Sequence, residues 1–210
     1  MDDRGGRALV LIRCGRTEWD SAGRLQGSTD LPVVEEGLSE IGRCLEAWLA
    51  GGGASPSLVF CGEDEGSRAS AKLAGEAFGA KVKAQAGLSA MGMGLWEGLT
   101  VSDLEERHPT TFRQWREGPE RVNVPEGEGV RVFVERAVGC VSRLVEKHGK
   151  KDVALVLRPL EFSILDRVLG GAGLEELSEE EVAGGACAIT SHSVDAGSLR
   201  AFVQGMAVRA

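Results

Sequence analysis

Ala8-Leu-Val-Leu-Ile-Arg13-Cys14-Gly15-Arg16-Thr17-Glu18-Trp19-Asp20 decides the reading of this chain. Four consecutive large or branched apolar residues, bounded by a run of polar and turn-forming ones, describe a strand buried on both faces, Ala8 to Arg13. Such a strand delivers its last side chains to the edge of a sheet. Working outward, helical and strand-like segments alternate. Leu38, Ile41, Leu45, Trp48 and Leu49 recur at spacings of three and four up to the glycines at 51–53, which predicts a helix. Ser57 to Cys61 reads as a second buried strand, Ser67 to Phe78 as a helix, and Gly87 to Pro125 as an irregular stretch with two short helices. Val130 to His148 is a long amphipathic helix with Val130, Phe133, Val134, Ala137, Val141, Leu144 and Val145 on its apolar face. Val153 to Leu157 is a third strand, a helix runs from Pro159 to Leu169, and Ala186 to Thr190 and Leu199 to Val203 read as two closing strands. The alternation predicts an α/β fold, a three-layer sandwich with a mostly parallel central sheet flanked by helices.

At 210 residues the chain suffices for one sizeable core, and a single domain over 8–210 is expected, preceded by a flexible N-terminus at 1–7 and carrying a lid-like insertion at about 87–128. Residues 1–7 lack an apolar leader core, and no apolar run reaches the length of a membrane span, so a cytoplasmic protein is expected. A net charge of −8 without a Lys/Arg cluster excludes a nucleic-acid or anionic-membrane partner at this level of reading. Five cysteines, Cys14, Cys44, Cys61, Cys140 and Cys187, show no metal-like spacing and are expected as reduced thiols. No cofactor or metal is implied.

Residues 10–37, opening with Val-Leu-Ile-Arg-Cys14-Gly-Arg-Thr17-Glu-Trp, resemble the start of the histidine phosphatase, or phosphoglycerate mutase-like, superfamily and its α-ribazole phosphatase branch. Gly94-Leu-Trp-Glu-Gly98, Phe112-Arg-Gln-Trp115, Pro125-Glu-Gly-Glu-Gly129 and Asp152-Val-Ala-Leu-Val-Leu157 extend the likeness along nearly the whole chain. The resemblance implies a nucleophilic histidine, a carboxylic acid that protonates the leaving oxygen, and two arginines and a second histidine around the phosphoryl group. Here the nucleophile's place holds Cys14, the second arginine's place Gly66 (with Arg68 two residues late), the acid's place Ala90 and the second histidine's place Arg158. Alanine moves no proton, and a guanidinium with a pKa above about 12 does not cycle as an imidazole does. Losing the acid alone forfeits about a hundred- to ten-thousand-fold in rate.

The expectation is a catalytically degenerate phosphatase-like protein that either retains weak binding of a small phosphorylated or carboxylated anion or acts as a protein-binding module. The alternative is a phosphomonoesterase using Cys14 as an atypical nucleophile. Cys14 is either such a thiolate or an inert filler of the space left by a histidine. Arg13, Gly15, Thr17 and Arg158 form the candidate anion site, with Arg16, Asp20, Gln26 and Trp115 lining the crevice. Against this, Asp20 offers Arg13 or Arg158 an internal salt bridge, and a crevice plugged that way would leave only a structural or interaction role. Trp19 and Trp96 read equally as core anchors, Glu97 as a structural carboxylate, and His108, His148 and His192 as surface residues.

Overall fold

The computed structural model describes residues 7–149, 151–174, 177–178, 181–182 and 184–208. Five strands form one sheet: β1 (Arg7–Arg13), β2 (Leu58–Cys61), β3 (Lys81–Ala84), β4 (Val153–Leu157) and β5 (Ile189–Val194). Their spatial order is β3-β2-β4-β1-β5, with β5 alone antiparallel. The helices are α1 (Glu18–Ser21), α2 (Glu35–Ala50), α3 (Glu65–Phe78), α4 (Val101–Arg107), α5 (Pro109–Glu117), α6 (Val130–Lys147), α7 (Pro159–Leu169) and α8 (Ala196–Val208).

Period-two alternation divides the core into two layers. Leu9, Leu11, Leu58, Phe60, Leu155 and Leu157 join the cluster that includes the buried face of α6 and residues of α7. Val10, Ile12, Cys14, Val59, Cys61, Ala154 and Val156 face Ile41 and Leu45 of α2 and Ala71 and Ala74 of α3. The sheet is therefore sandwiched between helices, as the alternation of segments predicts. Local signals set the boundaries. Asp64 accepts from Ser67 N at 2.8 Å to cap α3, Gly79 at φ 63° stops it, and Pro159 opens α7 at its first turn.

Several segments correct the sequence reading. Residues 1–6 of the expected flexible terminus lie outside the described residues, while Arg7 belongs to β1 and its guanidinium bonds the Val145 carbonyl. Leu199 and its neighbours are helical: Asp195 accepts from Ser198 N at 2.9 Å, a side-chain cap that starts α8, which packs on α6. Lys81–Ala84 is a strand not anticipated, an edge strand whose side chains are largely exposed. Segment 87–128 contributes Met91, Met93, Trp96, Leu104, Phe112 and Trp115 to the larger core cluster. Trp115, expected in the crevice, is fully buried between Trp96 and Phe112, because three aromatic rings gain more from mutual packing than from a polar cleft.

Candidate functional site

Two adjacent parallel strands end at the same edge, and Cys14 N donates to Leu157 O at 2.7 Å, so the residues that follow β1 and β4 meet. Cys14 and Arg158 share the sheet face of Ile12 and Val156. Arg158 is 3 % exposed. Its Nη1 lies 3.5 Å from Cys14 Sγ, and its Nη2 donates to Asp20 Oδ2 at 3.1 Å and to Gln26 Oε1. Asp20 Oδ2 also accepts from Thr17 N at 2.7 Å and Thr17 Oγ1 at 2.8 Å, and the same hydroxyl is 2.9 Å from Gln26 Oε1. The first turn after β1 is thus wound around the guanidinium, with Thr17 and Asp20 forming a capping box on α1.

Cys14 Sγ is 3.1 Å from Ser70 Oγ. Ser70 accepts from Gly15 N at 3.1 Å and donates its single proton to Gly66 O at 2.8 Å, which leaves the thiol to donate toward Ser70. Burial raises the Cys14 thiol's pKa, and the opposing influence of Arg158 and Ser70 does not reverse it. The sulfur is a buried, protonated thiol. Arg158 remains charged: burial works against it, but the nearby acidic groups, Asp20 and Asp64 among them, hold its pKa above the ordinary arginine value.

The four positions singled out in sequence converge. A Cβ on Gly66 would stand 3.1 Å from Arg158 Nη1 and 3.1 Å from Leu31 O, so the guanidinium lies close against this glycine. Ala90 shares with Arg158 the lining of an open cleft of about 270 Å³, and its carbonyl accepts from Arg136 Nη2 at 3.1 Å. Arg68 is turned back to Glu63 O at 2.7 Å and does not replace a guanidinium at Gly66.

Besides Trp115, two more expected members do not join the crevice. Arg13 lies on the opposite sheet face, with Leu9 and Leu11, because one residue of register reverses the side chain. Its guanidinium donates to Ala186 O at 3.2 Å and Ser163 Oγ at 3.4 Å and sits 5.0 Å from the Phe162 ring centre. The two arginines therefore do not form the expected pair. Arg16 pairs with Glu40 of α2, Nε to Oε2 at 3.1 Å, and leaves the crevice for that helix. His192, expected at the surface, is half-buried and bonded to Asp166 Oδ1 at 2.9 Å. Glu97 behaves as a structural residue. Partial burial would raise its pKa, but hydrogen bonds from Thr29, Ser28 and Met93 outweigh that and hold it below the usual carboxylate range.

Of the two cavities that Arg158 lines, the one it shares with Asp20, Leu160 and Glu161 has a volume of about 20 Å³, enough for roughly one water and too small for a phosphate. Asp30, Glu63 and Asp64 line the outer cleft, a carboxylate rim unsuited to an anion. Sequence reasoning missed Ser70 as the thiol's partner and Glu161, which is 2 % exposed and accepts from Met91 N at 2.7 Å. A single charge among Leu160, Phe162, Ile164 and Leu165 was the available signal for Glu161.

The profile of the histidine phosphatase superfamily (branch 1) matches residues 9–203. The chain belongs to the histidine phosphatase superfamily. Among curated relatives, phosphoserine phosphatase 1 of Hydrogenobacter thermophilus is 25 % identical over 168 residues, covering 80 % of this chain and 78 % of that one. An acid phosphatase of Mycobacterium tuberculosis is 30 % identical over 154 residues, 70 % of this chain and 68 % of its own. The crystal structure of α-ribazole phosphatase from Shigella flexneri superposes with a TM-score of 0.65 at 25 % identity, covering 83 % of each chain. Superfamily membership accounts for the sheet order and the meeting of β1 and β4 at one edge. Among the described residues no cluster of side chains suits a metal ion, and no helix is long and apolar enough to cross a membrane.

Proposed function

We propose that this chain is a catalytically degenerate histidine-phosphatase scaffold that acts as a binding module, its crevice filled from within by Arg158. The observation that carries the reading is the buried Arg158 network: the cation is already matched by Asp20 and Gln26 and occupies the space beside Cys14. Transfer of a phosphoryl group needs a nucleophile, a proton donor at the leaving oxygen and free positive charge for the equatorial oxygens. The thiol is protonated, Ala90 carries no proton, and the crevice guanidinium is committed to a carboxylate. Anion binding on this reading is weak, since any phosphate must first displace Asp20 and then tolerate Asp30, Glu63 and Asp64.

Kinship by itself speaks for a second reading, hydrolysis of a phosphomonoester with Cys14 as nucleophile, because the relatives are named as phosphatases. In that chemistry the Cys14 sulfur bonds phosphorus as the ester P–O bond breaks, and water then cleaves the S–P bond. It requires Arg158 to leave Asp20 and the thiol to ionise.

One experiment separates the two. Hydrolysis of an aryl phosphate is measured for the wild type and Cys14→Ser, beside thermal shift with inorganic phosphate and sugar phosphates. No turnover and no shift supports the filled crevice, while turnover abolished by Cys14→Ser establishes the thiol phosphatase. A shift without turnover supports a binding role with a retained anion site, since binding to the folded state alone raises stability by mass action.

A further inference from the structure

Five of the chain's six lysines, Lys81, Lys83, Lys147, Lys150 and Lys151, fall in two short segments far apart in sequence. The fold brings those segments together. Lys81 and Lys83 stand opposite Leu58 and Phe60 in the parallel pairing of β3 with β2, so both side chains share the sheet face covered by α6. On that face the Phe60 ring lies 5.6 Å from the ring of His148, the residue that closes α6 directly after Lys147. Lys151 is folded back on the same corner, its N donating to His148 O at 3.4 Å. Lys150 lies outside the described residues. Lys81, Lys83, Lys147 and Lys151 are all exposed, and none forms an ion pair among the described residues. The carboxylates next to this corner in sequence are engaged elsewhere, Glu146 with Arg200 at 3.0 Å and Asp152 with Ala8 N at 2.8 Å. Burial, and then the charges of Lys83, Lys147 and Lys151, hold the His148 imidazole below its usual pKa, so the lysines carry the charge of the corner at neutral pH.

The same corner is the free edge of the sheet. Among the described residues β2 is the one strand that pairs with β3. Lys81 N and Gln85 N donate toward β2, to Ser57 O at 3.2 Å and Cys61 O at 2.8 Å, so the backbone N–H and C=O groups of Val82 and Ala84 point outward. Val82 is 40 % exposed and leans on α3, where a Cβ on Gly75 would stand 2.5 Å from its Cγ2. The edge therefore offers cations on one face, an apolar side chain on the other and unpaired backbone between them.

We propose that β3 is a docking edge for an acidic partner protein, which adds to the sheet an extended segment of alternating acidic and apolar residues. Its main chain pairs with Val82 and Ala84, its carboxylates lie beside Lys81 and Lys83 on the α6 face, and its apolar side chains cover Val82 on the α3 face. Lys147 and Lys151 add to the attraction. This rests on the reading of the chain as a binding module and gives that module its contact surface. Charge selects this occupant over a second copy. Antiparallel pairing of two β3 strands about an axis normal to the sheet keeps the faces matched and sets lysine against lysine, which is repulsive. Edge lysines by themselves block self-pairing, but cations brought in from the end of α6 exceed that need and fit an acidic segment. A flat anionic surface would use the charges and leave the edge backbone unpaired.

Full-length protein is titrated with a fluorescein-labelled peptide of alternating glutamate and valine, followed by anisotropy at low ionic strength and by hydrogen exchange read by mass spectrometry. Expected are saturable binding, slowed exchange in residues 81–85, weakening by salt, and a loss of at least about tenfold on Lys81→Glu/Lys83→Glu. The same peptide fully N-methylated keeps its charges and cannot pair with an edge, so it binds at least about tenfold more weakly to the wild-type protein, whatever the variant's stability. No saturable binding, or equal binding of the N-methylated peptide, overturns the docking edge. So does binding of phosphatidylserine vesicles or an oligonucleotide in place of the peptide, or a dimer in sedimentation that Val82→Pro disperses. Turnover of an aryl phosphate by the same preparation overturns the module reading and not the edge, while an inactive protein that ignores the peptide overturns the edge and not the module reading.

Discussion

Replacing Asp20 by alanine isolates the contact on which the filled crevice depends. Asp20 Oδ2 accepts from Thr17 N, Thr17 Oγ1 and Arg158 Nη2 at 2.7, 2.8 and 3.1 Å, and both charged side chains are at most 4 % exposed. Without it Arg158 keeps only Gln26 and Cys14 as hydrogen-bond partners among the described residues, with Asp64 a more distant charge, and its Nε already lacks a partner. Removing one partner of a buried ion pair costs about 3–5 kcal/mol, because the other charge stays behind unmatched. At roughly 2–4 °C per kcal/mol for a chain of this size, Tm falls by about 6–20 °C. Arg158→Met alone strands Asp20, although the two Thr17 bonds soften the loss. The double variant Asp20→Ala/Arg158→Met exchanges the pair for apolar volume and returns to within about 2 kcal/mol of the wild type. The double-mutant cycle by urea unfolding therefore yields a coupling of about 2–4 kcal/mol. Single variants costing less than about 1 kcal/mol each, with additive effects, would refute the buried pair as the element that fills the crevice.

Gly66→Arg destabilises by about 2 kcal/mol or more, since its first side-chain carbon already presses on Arg158 and on Leu31 O, and pairing it with Arg158→His relieves most of that cost; thermal unfolding reads both. Burial raises the Glu161 pKa despite hydrogen bonds from backbone amides, so the folded state binds a proton that the unfolded chain releases. Stability consequently falls as pH rises from the ordinary carboxyl range through the raised folded value, and Glu161→Gln, which keeps an acceptor for Met91 N, flattens that slope in unfolding measured across pH 4–9. Glu97 has the opposite sign. Its lowered pKa contributes stability above the unfolded value that is lost as pH falls through the folded one, and Glu97→Ala costs about 1–3 kcal/mol with a smaller acid-side loss than the wild type. Cys14→Ala changes Tm by less than about 6 °C, because a buried protonated thiol acts chiefly as packing; a much larger drop would point to a structural role beyond filling space.

Sequence alone determined the architecture and part of the crevice, but not the places of Arg13, Arg16 and Trp115. The apolar runs at β1 and β4 read as strands covered on both faces, Pro159 opens α7, and Cys14, Gly66, Ala90 and Arg158 are placed together by the resemblance of the whole chain to one family. β3 was illegible since Lys81-Val-Lys-Ala84 is an exposed edge that shows no buried alternation, and α8 was misread since its start depends on the Asp195 cap rather than on periodicity. Only tertiary structure decided what the crevice contains. Whether Arg158 meets a ligand or Asp20, and whether the Cys14 thiol is ionised, are matters of distance and burial between segments far apart in the chain. Electrostatic energy depends on separation and dielectric, and neither is written in the order of residues.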